Sequence, residues 1–547
     1  MIRWTRLAMR SCLQVRYGFA PTPFFVLTRA TRFKTMIPAV RRFSLPVPFV
    51  VLAAFFLYRF LDVAASGITD PDYYWHISYG EWILDHGRLP TIDFWSWTYD
   101  GHPYRLTQWL GELAMGIAHR AGGELGTQTL STLLMVLTLA FSYRAARCYL
   151  DNRLAALSVA LFCDNILNLP CRPHQFTHLG LAILTAILAD YLTTGKRRGL
   201  FWIPPLMALW VNLHGGYAVG LAYLWLLVGA FVVEPYLAQR QKPGLSLVAL
   251  PLAIAAIAGT LATLINPYGA GAWSYAVDIA GLKSSLVGIV DEWHPTTIKM
   301  SVGLHYFFVT TAVFVAMAVS KDHPRIRSLL LMLAIALVGW SAVRVSIMMS
   351  VLLVPLLAEA FHGTALYRLA FTGDASRYDR NIQGIIAIPL LFLVLLTSLL
   401  TIRDDKTVRD AMLDKFPVNE VAFMKQHGIS GRLLNTPETG GYLIRQLGQK
   451  VSIDTRLDLY GDEPLFKFLS AHSGDMTWRE YINRMDPDVV LIENTASLRQ
   501  LLISSGIYRM VNEGEHFSVI VRSGDYPDLP TVQSTNENKA IAELLQR

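Results

Sequence analysis

Charge is what this sequence has least of: Asp, Glu, Lys and Arg make up 16% of 547 residues, against 53% hydrophobic ones. A soluble globular chain carries about 25% charged residues, so a water-solvated exterior over the whole molecule is excluded. Mean hydropathy is correspondingly positive, at +0.36. Cysteine is scarce as well. Cys12, Cys148, Cys163 and Cys171 show no metal-ligand spacing, and three of them lie in or beside apolar runs, which removes the basis for a disulfide framework or redox chemistry. Acidic residues are missing altogether from the first 42 positions, which hold Arg3, Arg6, Arg10, Arg16, Arg29, Arg32, Lys34, Arg41 and Arg42. A transit peptide has that composition. So do a cytoplasmic basic tail and an over-extended start with initiation at Met36. The formal net charge of +7 sits largely in this tail and in short loops; it is a topology signal, and no nucleic-acid partner is expected.

Apolar runs stand where charge is missing. They recur at 46–66, 126–143, 175–192, 216–237, 245–265, 302–320 and 382–402, and a helix rising about 1.5 Å per residue needs about 20 residues to cross a bilayer. Residues 327–361 would reach about 50 Å as one helix, so a hairpin turning around Trp340 to Arg344 is expected there. One alternation of spans puts every basic loop on the same side. Inside fall the tail, Arg144 to Arg153, Lys196 to Arg198, Arg240 to Lys242, Lys321 to Arg327, and Arg368 to Arg380. The expectation is an α-helical polytopic membrane protein of about eleven spans, N-terminus cytoplasmic. Its regions are a basic tail (1–42), a transmembrane domain (43–402) with a first outer loop at 67–125, and an extracytoplasmic C-terminal α/β domain (403–547).

In that last region β-branched runs at Arg432 to Asn435, Val451 to Asp454, Asp488 to Glu493 and Phe517 to Arg522 read as strands between helical patterns. Gly440-Gly441 reads as the opening of a helix after the first of them, either a tight turn or an anion cradle. Within the first outer loop, residues 108–121 could form a short span, although Glu112 and His119 fit an amphipathic helix lying on the membrane better.

That loop opens Asp70-Pro-Asp-Tyr-Tyr-Trp-His76, directly after the first apolar run. Residues before proline avoid the helical region, so the two acids are expected in an extended segment close to the membrane surface. A carboxylate so placed can take the proton of an acceptor hydroxyl attacking an activated carbon; the plainer reading is a proline turn with solvated acids. The same loop carries Tyr73, Tyr74, Trp75, Tyr79, Trp82, Phe94, Trp95, Trp97, Tyr99 and Tyr104. Aromatic rings stack on sugars and also anchor proteins at headgroup level.

Taken together, the long first outer loop and its acidic motif resemble the GT-C superfamily of membrane glycosyltransferases, which use polyprenyl-phosphate-linked sugars. More narrowly, several runs resemble a family of poorly characterised bacterial membrane proteins. They are Asp70 to His76, Gly80-Glu-Trp-Ile83, Gly87-Arg-Leu-Pro90, Asp93, Trp109 to Glu112, Arg172-Pro173, Trp210 to Gly216, Asn266 to Gly269, Glu292-Trp293, Asn435, Gly440 to Leu443, and Asp454 to Gly461. The resemblance spans residues 46–522. It implies a GT-C-like fold in an inner membrane, a lipid-linked sugar donor, membrane lipids as partners, inversion at the anomeric carbon, and an acceptor that is a glycan, lipid or protein.

Under that implication Asp70 and Asp72 share the base assignment. Arg172, His174, His214 and Arg344 are candidates to meet the donor phosphate, since a leaving anion needs cations or hydrogen-bond donors. His76 and Glu292 complete the candidate site; with Asp72 they could hold a divalent metal, although no metal set is assigned. Each candidate has a plainer reading: Arg172 and Arg344 could snorkel to headgroups, and His214 could cap a glycine hinge. Two rivals to the enzyme reading remain, a transporter or lipid-linked glycan translocase and a non-catalytic scaffold.

Overall fold

A computed structural model describes residues 51–58, 60, 68–164, 170–237, 248–286, 291–322, 325–371 and 405–533. The basic tail, the apolar run at 382–402 and the Arg240 to Lys242 loop fall outside the described residues.

The part of the chain ahead of residue 372 is helical among the described residues. It comprises α2 (Trp109–Arg147), α3 (Arg153–Cys163), α4 (Gln175–Thr194), α5 (Ile203–Leu213), α6 (Tyr217–Leu237), α7 (Ala249–Ala262), α8 (Gly271–Leu286), α9 (Ser301–Val319), α10 (Ile326–Gly339), α11 (Val343–His362) and α12 (Ala365–Phe371), preceded by α1 (Pro71–His86) in the first loop. Five of these, α2, α4, α6, α9 and α11, are long and apolar enough to cross a membrane by length and composition. The eleven-span count is not confirmed by them. Local signals place the breaks: Pro204 and Pro205 sit in the first turn of α5, His214 leaves it in extended backbone, and α4 stops at Gly195 in the left-handed region. The long apolar stretch 327–361 breaks after Gly339 and resumes at Val343.

Two departures concern the first loop. Asp70 alone is extended; α1 starts at Pro71, with Asp70 as its N-cap and Asp72 in its first turn. The rule that keeps a pre-proline residue out of helical backbone is satisfied by Asp70, and proline is well suited to the first helical position. Likewise, 109–121 is not a separate surface helix. It runs on into the membrane helix across a kink at Gly122 and Gly123, and Glu112 and His119 face α1 instead of headgroups, Glu112 meeting His76 and His119 meeting Glu81.

The C-terminal region adds α13 (Asp405–Lys415), α14 (Val418–Gln426), α15 (Pro437–Leu447), α16 (Leu457–Tyr460), α17 (Asp462–His472), α18 (Trp478–Met485) and α19 (Ser497–Ser504) around one sheet. Its strands are β1 (Leu433–Asn435), β2 (Val489–Glu493), β3 (Tyr508–Glu513) and β4 (Phe517–Arg522), in the order β1-β2-β4-β3. β1 and β2 run parallel, and the other two pairings are antiparallel. Val451, expected within a strand, makes only isolated bridges to Leu433 and Ser96. The β3 strand was not expected; a bulge between Met510 and Asn512 interrupts the two-residue alternation that would have marked it.

First loop and sheet share one core. Tyr73, Tyr74 and Ile77 of α1 and Met115 of α2 pack with Val421, Leu443, Val489 and Val519, each fully buried apolar side chain contributing about 1.5–3 kcal/mol. Gly441 makes the close approach: a Cβ there would stand 2.8 Å from the carbonyl oxygen of Pro71. Gly440 and Gly441 therefore lie inside α15, which starts at Pro437, with Gly440 packed on the backbone of Ile453 and Asp454 and Gly441 on α1.

Candidate functional site

Five charged side chains from four stretches of sequence converge at the start of α1. Arg172, in the turn ahead of α4, places Nε 2.5 Å from Asp70 Oδ2, and its Nη1 lies 2.8 Å from Asp72 Oδ2 and 3.1 Å from Glu292 Oε1. Glu292 bridges onward, its Oε2 standing 3.2 Å from Arg344 Nε. The turn that carries Glu292 is pinned to the α10–α11 break by backbone bonds from Thr296 N to Trp340 O and from Val343 N to His294 O, which is what sets Glu292 against Arg344. The guanidinium of Arg344 also lies 5.5 Å from the Trp293 ring.

The two aspartates differ in their surroundings. Asp70 Oδ1 accepts from the Asp72 backbone N–H at 2.9 Å, and burial pushes its carboxyl up to about 6 against the pull of Arg172. Burial also pushes Asp72 up, but Arg172, His76, Thr455 and Trp75 outweigh it and hold its carboxyl below the usual range. The Thr455 hydroxyl donates to Asp72 Oδ1. The Trp75 indole N–H is shared between that oxygen, at 3.3 Å, and Thr455 Oγ1, at 3.1 Å. Arg172 stays charged, since its three carboxylates outweigh the burial that would lower it.

Behind the acids lies a second group, of imidazoles. His214 Nδ1 accepts the Gly216 backbone N–H at 3.0 Å and stands 2.8 Å from Thr177 Oγ1. A lone pair engaged in this way puts the proton of the neutral ring on Nε2. Burial, reinforced by Arg344 and the other histidines, holds both His214 and His174 well below the ordinary range, so both rings are neutral. The His174 and His214 ring centres are 6.4 Å apart and those of His174 and His178 5.6 Å. His174 Nδ1 and His178 Nε2 are buried with no hydrogen-bond partner.

The structure thus brings Asp70, Asp72, Arg172, Glu292 and Arg344 into one linked cluster and sets His174 and His214 beside it. His76 turns elsewhere: its Nδ1 lies 3.0 Å from Glu112 Oε1, and burial lowers its basicity to about 3. Among the described residues no group of three His, Cys, Asp or Glu side chains is placed to hold a metal ion. Asp72 and Glu292 are oxygen donors of the kind a hard divalent ion prefers, yet the position between them is taken by the Arg172 guanidinium.

Three participants were missed by sequence reasoning. Thr455 lies 383 residues from Asp72; its only signal was membership of the run Asp454 to Gly461. Glu112 was read only as a surface-helix residue and as part of the run Trp109 to Glu112, and His178 had no signal beyond being polar in apolar surroundings. The aromatic rings are also reassigned. Tyr73, Tyr74, Trp75 and Tyr79 are buried under the C-terminal region, which removes them from both headgroups and sugars.

No family model and no curated protein matches the chain. Among solved structures it is similar to the Archaeoglobus fulgidus oligosaccharyltransferase in the apo form, at 12% identity and a TM-score of 0.49, covering 81% of this chain and 69% of that one. It is also similar to the Archaeoglobus fulgidus oligosaccharyltransferase AglB in complex with an inhibitory peptide and a dolichol-phosphate, at 12% identity and a TM-score of 0.47, covering 91% and 75%.

Proposed function

We propose that this protein is a membrane glycosyltransferase that moves a sugar from a polyprenyl-phosphate donor to an acceptor outside the cytoplasm, in the synthesis of an envelope glycan or glycolipid. The observation that carries the reading is the two-ended site. At one end Arg172 gathers Asp70, Asp72 and Glu292; at the other stands Arg344, with Glu292 joining the ends. Group transfer from a phosphate needs those two environments side by side, one to take a proton and one to meet a leaving anion.

Asp70 is the proposed base. Its carboxyl sits nearest to neutrality and carries fewer donors than that of Asp72, so it is the stronger proton acceptor. The acceptor oxygen attacks the anomeric carbon as its proton passes to Asp70, and the bond from that carbon to the phosphate oxygen breaks on the opposite face, inverting the centre. The electron pair leaves with the phosphate, which Arg344 and the His214 Nε2–H would receive. Asp72 remains ionised and, with Glu292, holds Arg172 in place. The chain supplies its own cations in this reading.

The test is transfer of a radiolabelled sugar from polyprenyl phosphate by the purified protein, compared with the Asp70→Asn and Asp72→Asn variants. Transfer by the wild type that either variant loses supports the reading. No transfer from any member of a broad donor panel would count against the enzyme and for a translocase or a scaffold.

A further inference from the structure

The far end of the helical layer holds a cavity of about 400 Å³, inside the range of about 300–1,000 Å³ typical of ligand sites. It is remote from the acidic site. Arg344 opens α11 and Glu359, on the cavity wall, lies near its close; at 1.5 Å per residue the two are roughly 22 Å apart. Tyr149, Thr193 and Ser320, at or just beyond the ends of α2, α4 and α9, line the same space.

The cavity has an apolar wall and a charged rim. Leu188, Leu227, Met317, Leu331 and Leu356 line the wall, with Tyr223 among them. Val232 and Val233 of α6 and Leu333 and Leu337 of α10 face outward nearby as exposed apolar surface, so these helices present hydrocarbon-compatible sides to their surroundings. The rim carries Asp322, Arg325, Glu359 and His362. Its charges are loosely matched: Arg325 Nε is 3.8 Å from Glu359 Oε1, whose Oε2 accepts from the Ser328 hydroxyl at 2.8 Å, and His362 Nδ1 is 3.8 Å from Asp322 Oδ2. Arg327, by contrast, is engaged at 3.0 Å with Glu234 and stacks on Phe231 at 4.6 Å. The hydroxyl of Ser320 is buried on the cavity wall with no partner.

We infer that this cavity binds the headgroup of a zwitterionic phospholipid bearing a primary ammonium, a phosphatidylethanolamine. A cation and two carboxylates at the rim suit a ligand that carries both signs, with its phosphate toward Arg325 and the Ser320 hydroxyl and its ammonium toward Asp322 and Glu359. A purely anionic headgroup would meet those two carboxylates, and a choline headgroup has no N–H to donate to them. The apolar wall and the outward apolar faces suit the glyceride end, which separates a lipid from a soluble zwitterion. The inference is independent of the proposed glycosyl transfer.

The test is native mass spectrometry of the full-length protein released from nanodiscs containing equal amounts of phosphatidylethanolamine, phosphatidylglycerol and phosphatidylcholine. One phosphatidylethanolamine should be retained at about tenfold preference over each of the others, as the loss of one charge-assisted contact implies. Asp322→Asn and Arg325→Gln should each abolish that preference. Both side chains are more than half exposed, so these variants should fold, and a thermal melt run beside them would verify it. Equal retention of the three lipids, or a preference unchanged in both variants, would overturn the inference. So would displacement of the retained lipid by millimolar phosphoethanolamine, which would assign the cavity to a soluble ligand.

Discussion

Two of the arginine–carboxylate clusters among the described residues, those of Arg456 and Arg172, are built to opposite specifications. Around Arg456 every donor direction is used: Nη1 meets Asp93 at 2.7 Å and the Tyr79 hydroxyl at 2.6 Å, Nε and Nη2 meet Asp454 at 2.8 and 2.5 Å, and Nη2 also reaches the Tyr460 hydroxyl at 3.5 Å. The Tyr79, Trp95 and Tyr104 rings close over the guanidinium at 5.4–5.8 Å, and the ion pairs are wholly buried. Around Arg172 three carboxylates compete for one guanidinium, and Asp70, Asp72 and Glu292 keep 10%, 18% and 35% of their side chains exposed. The first cluster is closed and saturated, as a structural tie between the first loop and the C-terminal region should be. The second has excess acid and an open side, as a site that must admit a ligand requires.

The largest effect that would sharpen this contrast comes from the open cluster. Asp70→Asn should reduce glycosyl transfer by about 10²–10⁴-fold, the usual contribution of a positioned base, while the melting temperature stays close to that of the wild type. If the protein instead unfolds, the open cluster is structural too and the contrast fails. Next comes the closed cluster, where Arg456→Met should cost about 3–5 kcal/mol of stability because it leaves Asp93 and Asp454 buried without their partner. Thermal unfolding in detergent would read this as a large drop in melting temperature. A small drop, with transfer lost, would make Arg456 part of the site and erase the distinction.

Thr455 tests the seam between the clusters, since it follows Asp454 in sequence yet donates to Asp72. Thr455→Val removes one hydrogen bond to a charged group, worth about 1.5–3 kcal/mol. Transfer should fall about tenfold, mainly in kcat, with a drop in melting temperature of no more than the lost hydrogen bond accounts for. Thr455→Ser, which keeps the hydroxyl, should restore most of it. An unchanged rate for Thr455→Val would mean that Asp72 needs no support from the C-terminal region.

How legible each part was follows from the range of the forces that make it. The break near Trp340 is local, and sequence patterns carry local information; the helix capped by Asp70 is local too, yet it was read as extended because the pre-proline rule was applied to both acids when it binds Asp70 alone. Arg172 and Arg344 could be singled out because charge beside a membrane span is costly wherever the chain goes, and Glu292 through the resemblance of the run Glu292-Trp293. Their mutual distances, though, depend on how helices far apart in sequence pack. Thr455 was invisible for that reason: a threonine costs nothing anywhere, so only the fold reveals its partner. The aromatic rings misled for a related one. A ring-rich segment after a span suits an interface, and what buried it was a sheet more than 300 residues downstream, reached through Gly441.

The pH profile separates the two aspartates with the smallest perturbation. Asp70 is raised to about 6, chiefly by burial, whereas Asp72 lies below the ordinary 3.8 despite its burial. A base must be deprotonated to act, so transfer carried by Asp70 should rise as pH increases through about 6 and level off above it. Were Asp72 the base, the acid limb would fall below 4. Stability should move the other way across the same window. A carboxyl with a raised pKa binds its proton more tightly in the folded state, so folding is favoured below about 4 and that contribution is lost as pH climbs through about 6. The residual activity of Asp72→Asn carries the sharper reading. Asp72 raises the Asp70 carboxyl by its negative charge and shares Arg172 with it, so neutralising Asp72 should move the acid limb to lower pH. A limb that stays in place would mean that the carboxylates around Arg172 do not sense one another, and the open cluster would lose the property that sets it apart from the closed one.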